Sequence, residues 1–386
     1  MSNWMITEDK LSVKQKDFIN SEKMIDKNIW IKGFAGSGKS VLLVHSIANK
    51  ILQNSNISIC VVVFTHSLIQ MFTAGMKELN IPEKNVYLTT YHQFKKNTMH
   101  YDYIFCDEVQ DLTPSILEQM TKQAKKIILA GDSNQSIYLN DPATKELTLT
   151  TLDISNIVHP YNNIIDEIYR FSKSIQKVVA KFLPALEKVP NKTKNDINVI
   201  LGNSITKEKE IEYVISKAEG SIITDNSVVI LLPSHNDIVD FINNILKIKE
   251  ITEWNIVKNH WGKIDFNALN WYLQKNNINI EYIGNGTGDL YNSNQVGKIV
   301  IMTYHSVKGL DFDSVFLPSL TSELYISSET LFMVAMTRSK LNLYLTYSGN
   351  NKHHFLNDIE KECHKLDIDS IYNIDKNESD LDDFDF

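Results

Sequence analysis

Gly33-Phe34-Ala35-Gly36-Ser37-Gly38-Lys39-Ser40 is the stretch that decides the fold of this chain. It fits G-x-x-x-x-G-K-[ST], the phosphate-binding loop, and its flanks suit that reading. Upstream, Asn28-Ile29-Trp30-Ile31-Lys32 reads as a short buried strand; downstream, Val41 to Ala48 reads as an apolar helix. Glycines at 33, 36 and 38 let backbone N–H groups turn inward around a polyphosphate, with Ser37 between them and a helix dipole behind. Lys39 is placed to reach the β- and γ-phosphates, and the Ser40 hydroxyl to ligate Mg²⁺. The expectation is a nucleoside triphosphate site.

Composition sets the frame around that site. A chain of 386 residues predicts two or three domains, and 43% hydrophobic with 22% charged residues is ordinary for a globular protein. The net charge of −8 excludes a broadly basic surface but leaves room for a local nucleic-acid groove. Cys60, Cys106 and Cys363 lie far apart without metal-ligand spacing, which predicts free thiols in a reducing, cytoplasmic setting. No run has the length of a membrane span, and Met1-Ser2-Asn3-Trp4 does not open a signal peptide, so no membrane association is expected.

Along the chain, Leu11 to Ile19 predicts a short helix carrying Gln15, whose amide has a donor and an acceptor face for a base edge. A β-branched strand, Ile57 to Thr65, precedes a helix from His66 to Leu79, and a further run enters Thr90-Tyr91-His92-Gln93-Phe94. The strand Tyr103-Ile104-Phe105-Cys106 ends in Asp107 and Glu108, which places two carboxylates at the carboxyl edge of a sheet. Asp107 would hold Mg²⁺, and Glu108 would orient or deprotonate the attacking water. Another strand, Lys126 to Ala130, leads into Gly131-Asp132-Ser133-Asn134-Gln135-Ser136-Ile137-Tyr138. This alternation predicts an α/β fold with a doubly wound parallel sheet.

Loss of period between Leu139 and Pro160 sets the first domain at 1–158, followed by a second at 159–350 and a polar acidic tail at 351–386. In the second domain, Asn163 to Leu183 predicts a helix that contains Tyr169-Arg170-Phe171. A buried strand, Lys298 to Met302, ends in Thr303-Tyr304-His305-Ser306-Val307-Lys308-Gly309-Leu310-Asp311. An apolar helix from Thr330 to Lys340 carries Arg338.

Taken in order, these segments resemble the motif series of superfamily 1 helicases, the UvrD/Rep/PcrA branch in particular. The resemblance covers residues 11 to 347, from Gln15 through the phosphate loop, Phe64-Thr65-His66, Thr90 to Phe94, Asp107 to Asp111, Gly131 to Tyr138, Tyr169 to Phe171, Thr303 to Phe312 and Val334 to Lys340. It implies two RecA-like domains, each a parallel sheet flanked by helices, with ATP and Mg²⁺ in the cleft between them. Gln135 would sense the γ-phosphate, Arg170 and Arg338 would reach it from the second domain, and Gly309 and Asp311 would line the ribose and γ-phosphate side. Phe64, Thr65, His92, Tyr138, Thr303 and His305 would meet single-stranded DNA, with RNA as the other acceptable strand.

The chain departs from the family in two places. Tyr138 is followed by Leu139-Asn140-Asp141-Pro142 where the family continues with a base-stacking tryptophan. The intervals Thr65–Asp107 and Arg170–Thr303 are too short for the family's accessory subdomains. Two functions follow: an ATPase translocating 3′ to 5′ on single strands, or an ATP-dependent sensor that licenses a partner such as a nuclease. The tail from Asp375 ends in Leu381-Asp382-Asp383-Phe384-Asp385-Phe386, a candidate docking tip for a partner or a competitor for the strand.

Overall fold

The computed structural model describes residues 4–372 apart from 23, 142, 143, 195 and 225. Residues up to Arg170, joined by Lys188–Thr193, form one compact unit; Phe171–Glu187 and the chain from Lys194 onward form the other.

The first unit is built on six strands: β1 (Ile29–Gly33), β2 (Ile59–Val63), β3 (Val86–Thr90), β4 (Tyr101–Cys106), β5 (Ala124–Gly131) and β6 (Tyr161–Ile165). They lie in the order β3-β2-β4-β5-β1-β6, and every pair is parallel. Val, Ile and Cys in β2 are buried on both faces, as a central strand between two helical layers requires. Trp30, Cys60, Val62, Ile104, Cys106, Ile127 and Leu129 form one side of this core with Ile116, Leu117 and Ile154 of the covering helices. Both thiols sit inside it, and burial pushes the Cys60 thiol up to about 12.

The second unit has seven strands: β7 (Ile200–Ser204), β8 (Val228–Leu232), β9 (Ile280–Tyr282), β10 (Ile299–Thr303), β11 (Phe312–Leu317), β12 (Ser339–Ser348) and β13 (His364–Asp367). Their order is β13-β7-β12-β11-β8-β10-β9, again parallel throughout. Helices Lys207–Ile223 and His235–Ile248 pack Ile211, Val214, Ile238, Phe241 and Ile242 against β8 and β10. Two doubly covered parallel sheets confirm the expected α/β class.

Three segments differ from the sequence expectation. Residues 161–165 are a strand and not the start of a helix, because Ile29 to Gly33 pair with Tyr161 to Ile165 and extend the first sheet. The helix begins only at Lys173, behind a Ser172 cap. The first unit therefore continues to Arg170, past the boundary drawn at 158, and the Ile168 N–H bonds the Pro190 carbonyl to bring 188–193 back to it. The third difference lies at the end of the chain. Residues 351–372 are not a solvated tail: Phe355–Ile359 is helical, β13 pairs with β7, and Leu356, Ile359 and Ile368 are buried. The acidic tip, residues 375–386, lies outside the described residues.

A buried ion pair secures the helix that follows the phosphate loop. Lys50 Nζ lies 2.7 Å from Glu22 Oε1, and the Ser46 hydroxyl donates to Glu22 Oε2 at 2.6 Å, with all three side chains buried. Removing one member leaves the other charge in a low-dielectric interior. Glu22→Ala is therefore expected to cost about 3–5 kcal/mol, read as a lowered urea midpoint at unchanged slope. A loss within ~1 kcal/mol would show that water reaches the pair.

Candidate nucleotide and nucleic-acid site

In the first unit the parallel strands deliver their following loops to one edge. The loop Gly33–Gly38 leaves β1 and enters the helix Lys39–Gln53, with Gly38 at φ +86°. A side chain at 38 would be strained there, and its Cβ would lie 2.5 Å from Gln15 Nε2. Buried Gln15 itself donates from Nε2 to the Ser37 carbonyl at 3.2 Å and accepts the Ser12 N–H at Oε1, so its amide braces the loop. Lys39 Nζ donates to the carbonyls of Gly33 and Phe34 at 2.9 and 3.1 Å. The Tyr169 N–H donates to the Gly36 carbonyl at 2.9 Å, which fixes the segment before Arg170 beside the loop.

The acids follow β4. The Ser40 hydroxyl donates to Asp107 Oδ2 at 2.6 Å, bringing the two expected Mg²⁺ ligands together. Burial, and then the adjacent Glu108 charge, raise the proton affinity of Asp107, while Ser40 and Lys39 oppose them. A serine hydroxyl beside a buried, charge-stressed carboxylate fits a small hard cation completed by phosphate oxygens. Among the described residues no cluster of three or more His, Cys, Asp or Glu offers an alternative metal cage. Glu108 sits at φ 54°, a conformation uncommon for a residue with a side chain.

The sequence reading missed Gln110. Its Nε2 donates to Glu108 Oε2 at 2.5 Å and its Oε1 accepts the Asp132 N–H at 3.2 Å. Asp132 in turn accepts from Gln135 Nε2 at 2.8 Å, so hydrogen bonds run from Glu108 to Gln135. A Cβ on Gly131 would lie 2.4 Å from Gln110 Oε1, which explains glycine at the end of β5. The signal was available in Asp107-Glu108-Val109-Gln110-Asp111, where the amide stands two residues from the proposed base.

Arg170 is a correction. It was expected to reach the nucleotide from the second domain, yet it ends the first unit, because β6 adds to the sheet of the phosphate loop. Arg338 does lie in the second unit, just beyond the helix Glu329–Met336 instead of within it. It is buried: Nε donates to the Val334 carbonyl at 2.9 Å, Nη1 to Leu310 at 3.3 Å and Nη2 to Thr337 Oγ1 at 3.0 Å. The Leu310 contact links Arg338 to the turn that holds Gly309, at φ 83°, and Asp311.

The expected strand contacts share a local design. Thr65 accepts the Leu68 N–H and Thr90 the Gln93 N–H, each capping the helix that follows its strand. His92 is exposed, while Phe64 stacks with both Tyr91 and Tyr138, at 4.7 and 4.8 Å between centroids. In the second unit Thr303 Oγ1 accepts the Ser306 N–H at 3.1 Å, and half-buried His305 follows Tyr304, which is a fully buried packing residue.

The structure places Ser234 and His235 at the corresponding positions of the second unit. Thr90-Tyr91-His92 and Thr303-Tyr304-His305 are the same three residues at the ends of β3 and β10. Val63 of β2 pairs with Thr90, and Leu232 of β8 pairs with Thr303. Counting two residues on from each partner gives Thr65-His66 in one unit and Ser234-His235 in the other. Ser234 caps its helix as Thr65 does, accepting the Asp237 N–H at 3.3 Å. The repeated Thr-Tyr-His was the signal that would have found them.

Comparison with known proteins agrees with these motifs. Residues 29–161 match the family described as the viral superfamily 1 RNA helicase core domain, and residues 274–350 match the UvrD-like helicase C-terminal domain. F-box DNA helicase protein 1 of Schizosaccharomyces pombe is 24% identical over 334 residues, covering 69% of this chain and 36% of that protein. F-box DNA helicase 1 of Gallus gallus is 34% identical over 107 residues, covering 28% of this chain and 10% of that protein. The chain thus spans about a third or less of the length of these relatives. A solved arterivirus helicase, nonstructural protein 10, is similar at 15% identity and a TM-score of 0.46, over 90% of this chain and 64% of that one. The phosphate loop and its Ser40–Asp107 pair lie within the first match, and two helicase-domain matches in sequence order support a likeness to the superfamily 1 helicases in both units.

Proposed function

We propose that the chain is a nucleic-acid-stimulated ATPase that translocates 3′ to 5′ on single-stranded DNA. The hydrogen-bonded series from Ser40 and Asp107 to Glu108, Gln110, Asp132 and Gln135 carries this reading. Backbone N–H groups of Gly36–Ser40 and the Lys39 ammonium bind the phosphates of ATP. Ser40 and Asp107 hold Mg²⁺, which screens phosphate charge when bound. Glu108 takes the proton of the attacking water, and Gln110 sets its carboxylate. Gln135, Arg170 and Arg338 stabilise charge on the transferred phosphoryl, and Gly309 and Asp311 serve the ribose side. Phe64, Thr65, His92, Tyr138, Thr303 and His305, now with Ser234 and His235, meet the strand.

A second reading, an ATP-dependent subunit that licenses a partner nuclease or effector, has one observation in its favour. Among the described residues, the intervals between motifs hold only the strands and helices of the two sheets, with no inserted subdomain to engage duplex. The acidic tip at 375–386 is then the natural docking peptide.

Lys39→Ala is expected to abolish ATP binding, whereas Glu108→Gln keeps binding and slows turnover by about 10²–10⁴-fold. Equal turnover in Glu108→Gln and wild type would remove Glu108 from the chemistry. Joint His92→Ala and His235→Ala replacement should raise the DNA concentration for half-maximal stimulation about tenfold or more and leave DNA-free hydrolysis unchanged. An unchanged concentration would take both histidines off the strand. The two readings separate in ATPase turnover measured with and without single-stranded DNA, followed by strand displacement with the pure protein: DNA-stimulated turnover with displacement supports the motor, and the licensing subunit gives no displacement on its own.

A further inference from the structure

The loop between the helix His235–Ile248 and the helix Phe266–Lys275 has no role in the site described above. It is nonetheless a built structure. Trp254 is buried and exchanges two hydrogen bonds with Asn243, which anchors the incoming chain. Beyond it, Lys258 bridges Ile264 in antiparallel fashion, and the Asp265 N–H bonds the Val257 carbonyl at 2.8 Å. The tip is tied by Asn259, whose Oδ1 accepts the N–H groups of Trp261 and Lys263 at 3.0 and 3.1 Å, and Gly262 turns at φ 73°. This hairpin holds Trp261 at 73% exposure with the His260 ring against it. Lys258 and Lys263 are exposed on either side and form no ion pair with any described residue. Between Trp254 and Ile264 there is no acidic residue, in a chain of net charge −8.

Position supplies the second observation. Phe266, directly after the hairpin, stacks on Tyr282 and packs its ring 5.1 Å from that of His235. His235 bonds the Tyr282 hydroxyl at 3.0 Å and Asn285 at 3.2 Å. Burial, then the charge of Lys263, lower the basicity of His235, and His305 responds to His235 in the same way after its own burial. The hairpin therefore continues the row His305, His235 and Asn285 along the carboxyl edge of the second sheet.

We propose that the hairpin Val257–Asp265 is a single-strand contact of the second unit, with Trp261 stacking on a base while Lys258 and Lys263 neutralise neighbouring phosphates. The proposal rests on the nucleic-acid motor reading and assigns it a site outside the helicase motifs. A ring face is sequence-tolerant, and lysines beside it follow the backbone, the two elements of non-specific single-strand binding.

The test is binding of the full chain to labelled dT20 and U20 oligonucleotides by fluorescence anisotropy over a salt series. Trp261→Ala should weaken binding about five- to a hundredfold, and Trp261→Phe should restore most of it. Replacing Lys258 and Lys263 by Ala should flatten the slope of log affinity against log salt by about 0.7 per lysine. ATPase activity without nucleic acid should not change in any of these variants. If wild type binds and Trp261→Ala binds equally well, the hairpin proposal fails and the motor reading stands. If wild type binds neither oligonucleotide, both fail. Weakening confined to dT20 or to U20 supports the contact and names the strand.

Discussion

Parallel pairing of β1 with β5 and β6, and of β4 with β5, is the constraint on which the first site depends. In a parallel sheet every strand leaves at the same edge, so residues distant in sequence arrive together without any contact of their own choosing. The register Lys32–Gly131 and Gly33–Ile165 brings the start of the phosphate loop level with the end of β5 and with the segment before Tyr169. Ile104–Ile127 and Cys106–Leu129 bring Asp107 to the same level. A one-residue slip would also exchange Ile29 and Ile31 with the bulkier Trp30 between two buried faces, so core packing and site geometry enforce one register.

Given that register, the local chemistry is costly in isolation. Asp107, Glu108, Asp111 and Asp132 are all buried near one edge, with Lys39 as a nearby buried cation. Asp107 shows the strain through its raised proton affinity, and Glu108 through its left-handed backbone. Hydrogen bonds from Ser40, Gln110 and Gln135 satisfy part of the acceptor capacity, as buried carboxylates require. Such a cluster costs stability in isolation and is tolerated where its charge has a use, which under the proposed reading is the binding of a cation and a polyphosphate.

Legibility in the sequence followed the strength of local signals. The phosphate loop, β2, β4, β8 and β10 were readable because fixed glycines and doubly buried β-branched runs leave few alternatives. Tyr161-Asn162-Asn163-Ile164-Ile165 was not, since an edge strand with both Tyr161 and Ile164 exposed has no alternation or apolar run to betray it. That single miss also misplaced Arg170 by one unit. Helix Lys207–Ile223 was absent from the sequence reading because its Lys- and Glu-rich first half blurs the apolar stripe. Residues 351–372 looked like solvated tail because β13 offers only Leu366 as an apolar residue within His364–Asp367. Tertiary pairing made both edge strands, and pairing is what one chain's local pattern records least.

The repeat of capped turns gives the fold its functional logic under the motor reading. Each sheet presents two neighbouring strands ending in a hydroxyl residue that caps the next turn, followed by a histidine one or two residues on. Adjacent strands lie about 4.8 Å apart, so the spacing between the two turns of a unit is set by backbone hydrogen bonding and not by side-chain packing. Backbone ladders are among the least deformable features of a folded domain. A strand contact built on them keeps its dimensions in each unit while nucleotide chemistry alters the loops beside it. The residues proposed to act on the nucleotide, such as Glu108 and Arg338, instead sit where the backbone leaves the ladder, in the left-handed turn after β4 and between a helix and β12. Under the motor reading, rigid elements would thus hold the track and irregular ones respond to ATP, a division that a stepping enzyme needs within each of its units.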